Sequence, residues 1–396
     1  MTAFKYLIIG GGMTADAAVK GIREVDSAGL IGMISEEPDP PYDRPPLSKG
    51  LWKDKPLDSI WRHTQDRGVD LMLNRRAVRI RPELRDVVDD QGQTHQYQKL
   101  LLATGGRPRR LASGTPHALY YRTVQHYRLL RELALTQDHF VVIGGGFIGS
   151  EVAAALAMNG KSVTMVFPES AIGGRVFPPE LARFLNGYYA EHGVEILNGV
   201  GVSDVQPIHG KYEVSLENGR RIQTGGVVAG LGITPEISLA AEAGLRTGDG
   251  IVVDEFLQTT HPDVLAAGDA ASFHTPPLRE RRRVEHENNA NAMGEAAGRN
   301  MAGGREPYDY LPYFYSDLFD LGYEAVGDTN PRYEIVAHWE DLHRKGYLFY
   351  LSQGRVRGVV FWNEWNRLAA GRELLGQPGP FDTARLKEWV QHLPKE

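Results

Sequence analysis

The chain is 396 residues long, beyond the usual size of one hydrophobic core, so two or three domains are expected. Its 42% hydrophobic and 24% charged residues exclude extensive disorder, and 44 basic against 50 acidic residues, net −6, argue against a general nucleic-acid binder. No apolar run approaches the ~20 residues of a membrane span, and the absence of cysteine removes disulfides, thiolate metal sites and every thiol nucleophile or redox pair.

Phe4 to Ile9 reads as a buried parallel strand, Thr14 to about Glu24 as a helix, and LIGMISEE (30–37) as the next strand, which together make a βαβ unit. The chain enters this strand almost at once, with no signal-peptide core, so a cytoplasmic protein is expected. PDPPYDRPPLSK (38–49) cannot be regular structure, because proline fixes φ and lacks the amide donor; an ordered loop, or the start of a helix near Ser48, is expected. KLLLATGGRPRRL (99–111) gives another buried strand ending in a glycine turn, and the chain changes character around Leu111 to Thr115.

A helical pattern from Tyr127 to Leu135 leads into FVVIGGGFIGSE (140–151), then an alanine-rich helix ending at Gly160, and SVTMVFPE (162–169) closes a second βαβ unit. Strands follow at VEIL (194–197), KYEVSLE (211–217) and GGVVAGLG (225–232), before IVVDEFLQTTHPDVLAAGDAA (251–271) returns to strand, loop and helix. The second unit therefore looks inserted into the first. Beyond Pro307, YEIVAHW (333–339), YLFYLSQ (347–353) and RVRGVVFW (355–362) read as antiparallel strands, followed by helices at NRLAAGRELL (366–375) and DTARLKEWV (382–390). In the last helix Leu386, Trp389, Val390 and Leu393 recur at helical spacing, as core or dimer packing requires, with membrane contact as the other reading. The expected domains are residues 1–112 and 245–307 for one dinucleotide unit, 113–244 for the other, and 308–396 for a C-terminal α+β domain.

The chemistry lies in the two glycine turns. In the first, Gly10 permits the tight turn, Gly12 lets the backbone approach a pyrophosphate, and Ala15 is small enough for close helix packing; Glu36, off the next strand, suits a ribose hydroxyl. In the second, Gly144, Gly146 and Gly149 fill all three glycine positions and Glu169 is the matching carboxylate. Two dinucleotides on one chain point to electron transfer between a flavin and a nicotinamide. A carboxylate at Glu169 favours the 2′-hydroxyl of NADH over the 2′-phosphate of NADPH, while Arg175 nearby could accept that phosphate. Thirteen histidines show no paired-ligand spacing, so no metal site is expected.

The order PYDRPPLSKGLW (41–52), LLLATGGRPR (100–109), GGGFIGSE (144–151), GITP (232–235), LAAGDAA (265–271), RRRVEHENNANAMGEAAGRNM (281–301) and FYSDLFDLGYEAVG (314–327) resembles the flavoprotein family of apoptosis-inducing factor and the oxygenase-coupled ferredoxin reductases. The resemblance covers nearly the whole chain. It implies a glutathione-reductase-like α/β fold, with two Rossmann-like domains, the NAD domain inserted in the FAD domain, and a C-terminal α+β domain. It also implies that Arg44 and Lys49 lie against FAD, with Lys49 near the flavin ring, able to pair with Glu151 and to favour reduced flavin by its charge; surface charge after a proline turn is the alternative. Arg122 would approach the FAD or simply start a helix, and Asp269 would bond the ribityl chain, cap a helix, or both. Phe147 would cover the flavin face where nicotinamide lands, as a movable gate, or pack as a core residue; Ile148 and Gly232 belong to the same NAD motifs. Glu285, His286 and Glu324 would line the nicotinamide side, His286 in binding rather than catalysis because hydride transfer needs orientation more than a proton shuttle. Tyr315 would contact the ring or pack in the core.

The lack of cysteine excludes the disulfide reductase, peroxidase and water-forming oxidase chemistries of such flavoproteins. Electrons must leave the flavin directly, to a ferredoxin-type protein, a quinone or dioxygen. The expectation is a cytoplasmic FAD-dependent NADH-oxidising reductase of a ferredoxin, with a homodimer left open. An NADH:quinone reductase and a redox-sensing flavoprotein resembling apoptosis-inducing factor are the alternatives. The arginine runs at 107–110 and 279–283 could meet an acidic ferredoxin or form a solvated face.

Overall fold

The protein is described by a computed structural model over residues 2–393. It divides into two compact units: residues up to Arg44, Leu57–Arg107 and Thr234–Pro312 make the first, and Pro45–Pro56, Pro108–Ile233 and the chain from Tyr313 onward make the second. The boundary between Arg44 and Pro45 cuts through the proline-rich motif, and the half that carries Lys49 packs with the second unit.

In the first unit the parallel strands Val69–Met72, Ile31–Ile34, Thr2–Ile9 and Thr94–Leu102 lie side by side in that order. Val264–Ala266 adds to the last of these, and the antiparallel pair Asp86–Asp89 and Ala77–Arg81 extends the sheet. Ile9 is level with both Ile34 and Leu102, so three strand ends open together onto the crevice where such sheets bind ligands. Leu7, Ile8, Met33, Leu100 and Leu101 are fully buried, in one core with the helices that carry Ala18 and Met293 and the strands that carry Ile251 and Phe273. One of these helices, Met13–Val25, packs on Glu287–Met301 so closely that a Cβ on Gly298 would stand 2.1 Å from the Ala18 carbonyl oxygen. The expected helix at Thr14 to Glu24 is thus present and one residue longer at each end.

The second unit repeats the plan. Val194–Asn198, Ser162–Phe167, His139–Ile143, Gly226–Ala229 and Leu119–Tyr120 form a parallel sheet in that order, flanked by an antiparallel sheet of Val202–Ile208, Lys211–Leu216 and Arg221–Thr224. The C-terminal part is a five-stranded antiparallel sheet in the order Tyr313–Leu318, Leu321–Gly327, Arg355–Trp362, Lys345–Ser352 and Glu334–Asp341, with helices Leu368–Gly376 and Thr383–Gln391. The three strands read from sequence in this region are present, and a preceding hairpin, 313–327, joins them. In the last helix Leu386 is buried and Trp389 meets Phe349 edge-on at 5.6 Å, so the apolar stripe serves the core. No helix among the described residues is long and apolar enough to cross a membrane. The fold is therefore the expected one: two Rossmann-like dinucleotide units and a C-terminal α+β domain.

Candidate active site

Each glycine turn feeds a helix whose N-terminus has no side-chain cap. Gly12 caps Met13–Val25 and Gly146 caps Phe147–Met158, both with extended backbone and neither with a side-chain acceptor on the first amides. Those amides, with the positive end of the helix dipole, are an anion site. A Cβ on Gly146 would meet nothing within 4 Å, and one on Gly12 only Arg44 Nη2 at 3.8 Å, so the space before each helix is open for a pyrophosphate. Gly10 and Gly144 differ: φ is +118° and +115°, and an added Cβ would stand 2.1 Å from the Ala103 oxygen and 2.4 Å from the Gly230 oxygen. Gly149 is excluded from change by the Gly144 oxygen at 2.0 Å, and Ala15 is fully buried. These contacts fit two dinucleotides, one per unit.

In the first unit Glu36 lies past the end of its strand, 62% exposed, with Arg107 Nη2 3.4 Å away. Arg107 also pairs with Glu236, so this arginine, read from sequence as part of a basic run, is engaged by two carboxylates. Arg44 pairs with Glu37, which also accepts from the Tyr42 hydroxyl at 2.6 Å. Burial disfavours the Arg44 charge, but Tyr42, Glu37 and Asp269 outweigh it and raise its pKa, which places Arg44 and Asp269 in one electrostatic neighbourhood. Asp269 lies inside the three-residue turn Gly268–Ala270, whose N-cap is Ala267; the expected cap role is not seen, because the following long helix begins at His286 instead. Glu285 is exposed and paired with Arg283 at 2.6 Å. Burial, and then the Arg282 charge, push His286 down to about 3, so its imidazole is neutral at physiological pH.

In the second unit Glu169 is paired with Arg175, which is itself 75% exposed. Phe147 and Ile148 lead the second glycine helix and are 40% and 37% exposed, unusual for large apolar groups, and Phe147 meets Phe314 edge-on at 5.5 Å. Gly232 has φ +79° with open space at its Cβ position. Arg122 is half-buried one residue before the Thr123 cap of Val124–Thr136, and its backbone amide donates to His126 Nδ1. Burial raises the Glu324 pKa, although the Asn366 and Arg367 amides oppose it; the Asn366 amide donates at 3.1 Å.

The densest cluster surrounds Glu151. Its carboxylate, 3% exposed, accepts from Lys49 Nζ, Ser48 Oγ and Ser316 Oγ, each at 2.6 Å. Lys49 Nζ also lies 5.2 Å from the Tyr315 ring centroid, a cation–π contact. The loop bearing Lys49 is held in place by four backbone anchors: the Tyr121 hydroxyl and Trp52 Nε1 donate to the Leu47 carbonyl, the Tyr127 hydroxyl to Leu51, and Asn159 Nδ2 to Trp52. Two short 3₁₀ turns, Pro45–Ser48 and Gly50–Trp52, replace the expected loop or helix start. The pairing of Lys49 with Glu151 was legible in the motifs; Ser48 and Ser316 were not singled out, although both sit inside them, in RPPLSK and FYSDL. Arg44 is partnered by Glu37, the neighbour of Glu36, a carboxylate whose role nothing local in the sequence marks.

The second arginine run is only partly free surface. Arg281 donates to the Val253 and Ser272 carbonyls and Arg283 pairs with Asp249 and Glu285, whereas Arg279 forms an exposed left-handed turn.

Two parallel-sheet units, each with an uncapped glycine helix and a carboxylate off the following strand, define a two-dinucleotide oxidoreductase. The chain matches the pyridine nucleotide-disulphide oxidoreductase family over residues 4–294 and belongs to it. It is 33% identical over 399 residues to the 5,5'-dehydrodivanillate O-demethylase ferredoxin reductase subunit of Sphingobium sp. (strain NBRC 103272 / SYK-6), covering 98% of this chain and 97% of that one. It is 32% identical over 416 residues to mitochondrial apoptosis-inducing factor 1 of Dictyostelium discoideum, covering 94% and 78%. The crystal structure of the ferredoxin reductase for the CYP199A2 system from Rhodopseudomonas palustris superposes with a TM-score of 0.88 at 30% identity, over 97% of this chain and 99% of that one. The protein is an FAD-dependent NAD(P)H oxidoreductase close to the ferredoxin reductases.

Proposed function

We propose that this enzyme oxidises NADH and passes the electrons singly to a ferredoxin-type protein. One observation carries the reading: an almost full-length likeness to a ferredoxin reductase subunit in a chain with no cysteine to receive electrons internally. The chemistry that bound FAD supplies is acceptance of a hydride from nicotinamide C4 at flavin N5 and return of the electrons one at a time. Gly10, Gly12, Ala15, Glu36, Arg44, Arg122 and Asp269 hold the FAD. Lys49 puts positive charge beside the flavin ring, fixed by Glu151. Gly144, Gly146, Ile148, Gly149, Glu169 and Gly232 hold the NADH. Phe147 yields to the nicotinamide, and Tyr315, Glu285, His286 and Glu324 orient it. With its imidazole neutral, His286 contributes shape and hydrogen bonding, not a proton.

Anaerobic mixing of the purified yellow protein with NADH tests the reading, with a ferredoxin and cytochrome c added to follow electron exit. Bleaching of the flavin and ferredoxin-dependent cytochrome reduction are expected; a protein that carries no flavin, or one whose flavin stays oxidised, overturns it. The likeness to apoptosis-inducing factor favours a second reading, a redox sensor. Slow reoxidation in air, a broad long-wavelength band and an NADH-dependent change of mass would mark that outcome.

NADH rather than NADPH is proposed because Glu169, off the strand after the second glycine helix, suits a 2′-hydroxyl and already holds Arg175. Glu169→Ala should lower kcat/KM for NADH by about tenfold, the scale of one charge-assisted hydrogen bond, while leaving or raising that for NADPH. An unchanged ratio between the two coenzymes would remove Glu169 from the specificity.

A further inference from the structure

Lys49 hangs on a four-carbon stem that can swing its charge over several ångströms, so something must fix it if its charge is to act at one place. Glu151 is the obvious anchor, but a carboxylate held by one lysine turns freely about its own terminal bond, and turning would carry Oε1 away from Lys49. Oε2 accepts from Ser48 Oγ at 2.6 Å, and Oε1, besides Lys49, accepts from Ser316 Oγ at 2.6 Å. The three donors come from three separate segments: the 3₁₀ turn Pro45–Ser48, Lys49 just after it, and the strand Tyr313–Leu318. With both oxygens bonded from different directions the carboxylate plane is fixed.

Ser316 is fully buried and lies directly opposite Tyr323 on the neighbouring strand. Tyr323 is buried too, stacked on Trp362 at 5.6 Å and 14°, and cannot move away. Burying an ion pair costs desolvation energy that extra hydrogen bonds offset, and here two hydroxyls supply them.

We propose that Ser316, with Ser48, is a positioning residue that fixes the Glu151 carboxylate and through it the Lys49 charge, and so sets the reduction potential of the bound flavin. The inference rests on the proposed placement of Lys49 beside the flavin ring. Removing the Ser316 hydroxyl leaves Oε1 to Lys49 alone, loosens the pair so that Lys49 spreads over several positions, and weakens the local positive potential that favours electron-rich flavin.

Equilibrium redox titration of the flavin-loaded protein tests this on Ser316→Ala, Ser316→Thr and Lys49→Met, with stopped-flow reduction by NADH as a second readout. Ser316→Ala should move the midpoint potential to more negative values, in the same direction as Lys49→Met and by less, and should slow flavin reduction by about tenfold at unchanged KM, the scale of one hydrogen bond to a charged group. Ser316→Thr, which keeps the hydroxyl, should restore both. A potential in Ser316→Ala equal to that of the unchanged protein, with Lys49→Met shifted, overturns the role of Ser316 alone. Potentials equal in all three variants overturn the placement of Lys49 beside the flavin and this inference with it.

Discussion

Gly144 and Gly146 stand two residues apart in one turn, yet a methyl group does opposite things at each. At Gly144 it would adopt a left-handed φ and collide with the Gly230 carbonyl at 2.4 Å; at Gly146 the backbone is ordinary and the space is empty to 4 Å. Gly144→Ala should therefore cost roughly 1–3 kcal/mol of stability or more, visible in a thermal scan. Gly146→Ala should unfold at the same temperature as the unchanged protein and instead raise the KM for NADH, because the methyl fills the space a pyrophosphate takes. Equal loss of Tm in the two variants would show that the space at Gly146 is structural. His286 gives a prediction in pH. Its pKa, held at about 3 when folded against 6.5 in the reference state, means that between these values the unfolded chain binds the extra proton. Stability from this group is then complete above pH 6.5 and falls as pH drops toward 3, by about 2 kcal/mol between pH 7 and pH 5. His286→Asn should flatten that part of the curve of unfolding free energy against pH, and a curve of unchanged slope would mean the histidine titrates normally.

At the level of elements, the segment 45–52 shows how a loop without regular structure becomes rigid. Two 3₁₀ turns separated by Lys49 leave carbonyls at Leu47, Leu51 and Trp52, and each accepts from a side chain of the second unit. Leu47 accepts from both Tyr121 and Trp52, so Tyr121→Phe should cost only about 1 kcal/mol, and its larger effect should be faster amide exchange across residues 47–52. Exchange unchanged in this segment would show that the remaining anchors suffice. The glycine turns, their helices and the strands before them were legible in sequence because each rests on local chemistry: a positive φ, an apolar run, a small residue at a close approach. The Lys49 to Glu151 pair was legible only through the motif resemblance, since 102 residues separate the partners. Ser316, 165 residues from Glu151, carries no local sign of its role, because a serine in a strand reads the same whether its hydroxyl faces water or a buried carboxylate. The arginine runs misled in the opposite sense: neighbours in sequence, Arg107, Arg281 and Arg283 are each spent on separate acceptors inside their own unit.

Across the whole molecule the two dinucleotide units solve one problem twice. Each glycine helix carries a buried carboxylate just behind its open N-terminus, where negative charge would compete with a pyrophosphate unless it were satisfied. Asp16 in the first unit accepts from Thr64 Oγ1 at 2.6 Å and from Arg62 and Arg67, and Glu151 in the second accepts from Lys49 and two serines. In the first unit the donors are two arginines that cancel the charge in place, and the helix end is left to bind phosphate. In the second the cation is Lys49, on a loop held by Tyr121, Tyr127 and Asn159. The family name refers to disulphides, but no residue of this chain can form one. Every family mechanism that relays electrons through a thiol pair is therefore closed, and the flavin itself must be the donor to the acceptor. Alkylation with N-ethylmaleimide makes this testable with a small acceptor that has no thiols of its own. NADH-dependent reduction of ferricyanide should be the same before and after treatment, to within about 10%, because the reagent needs a thiolate to attack and the chain has none. A clear loss of rate would mean that lysine or histidine modification reaches the site. Lys49→Met, still able to turn over slowly, would then separate the two causes, since its residual rate should no longer respond to the reagent if Lys49 is the group attacked.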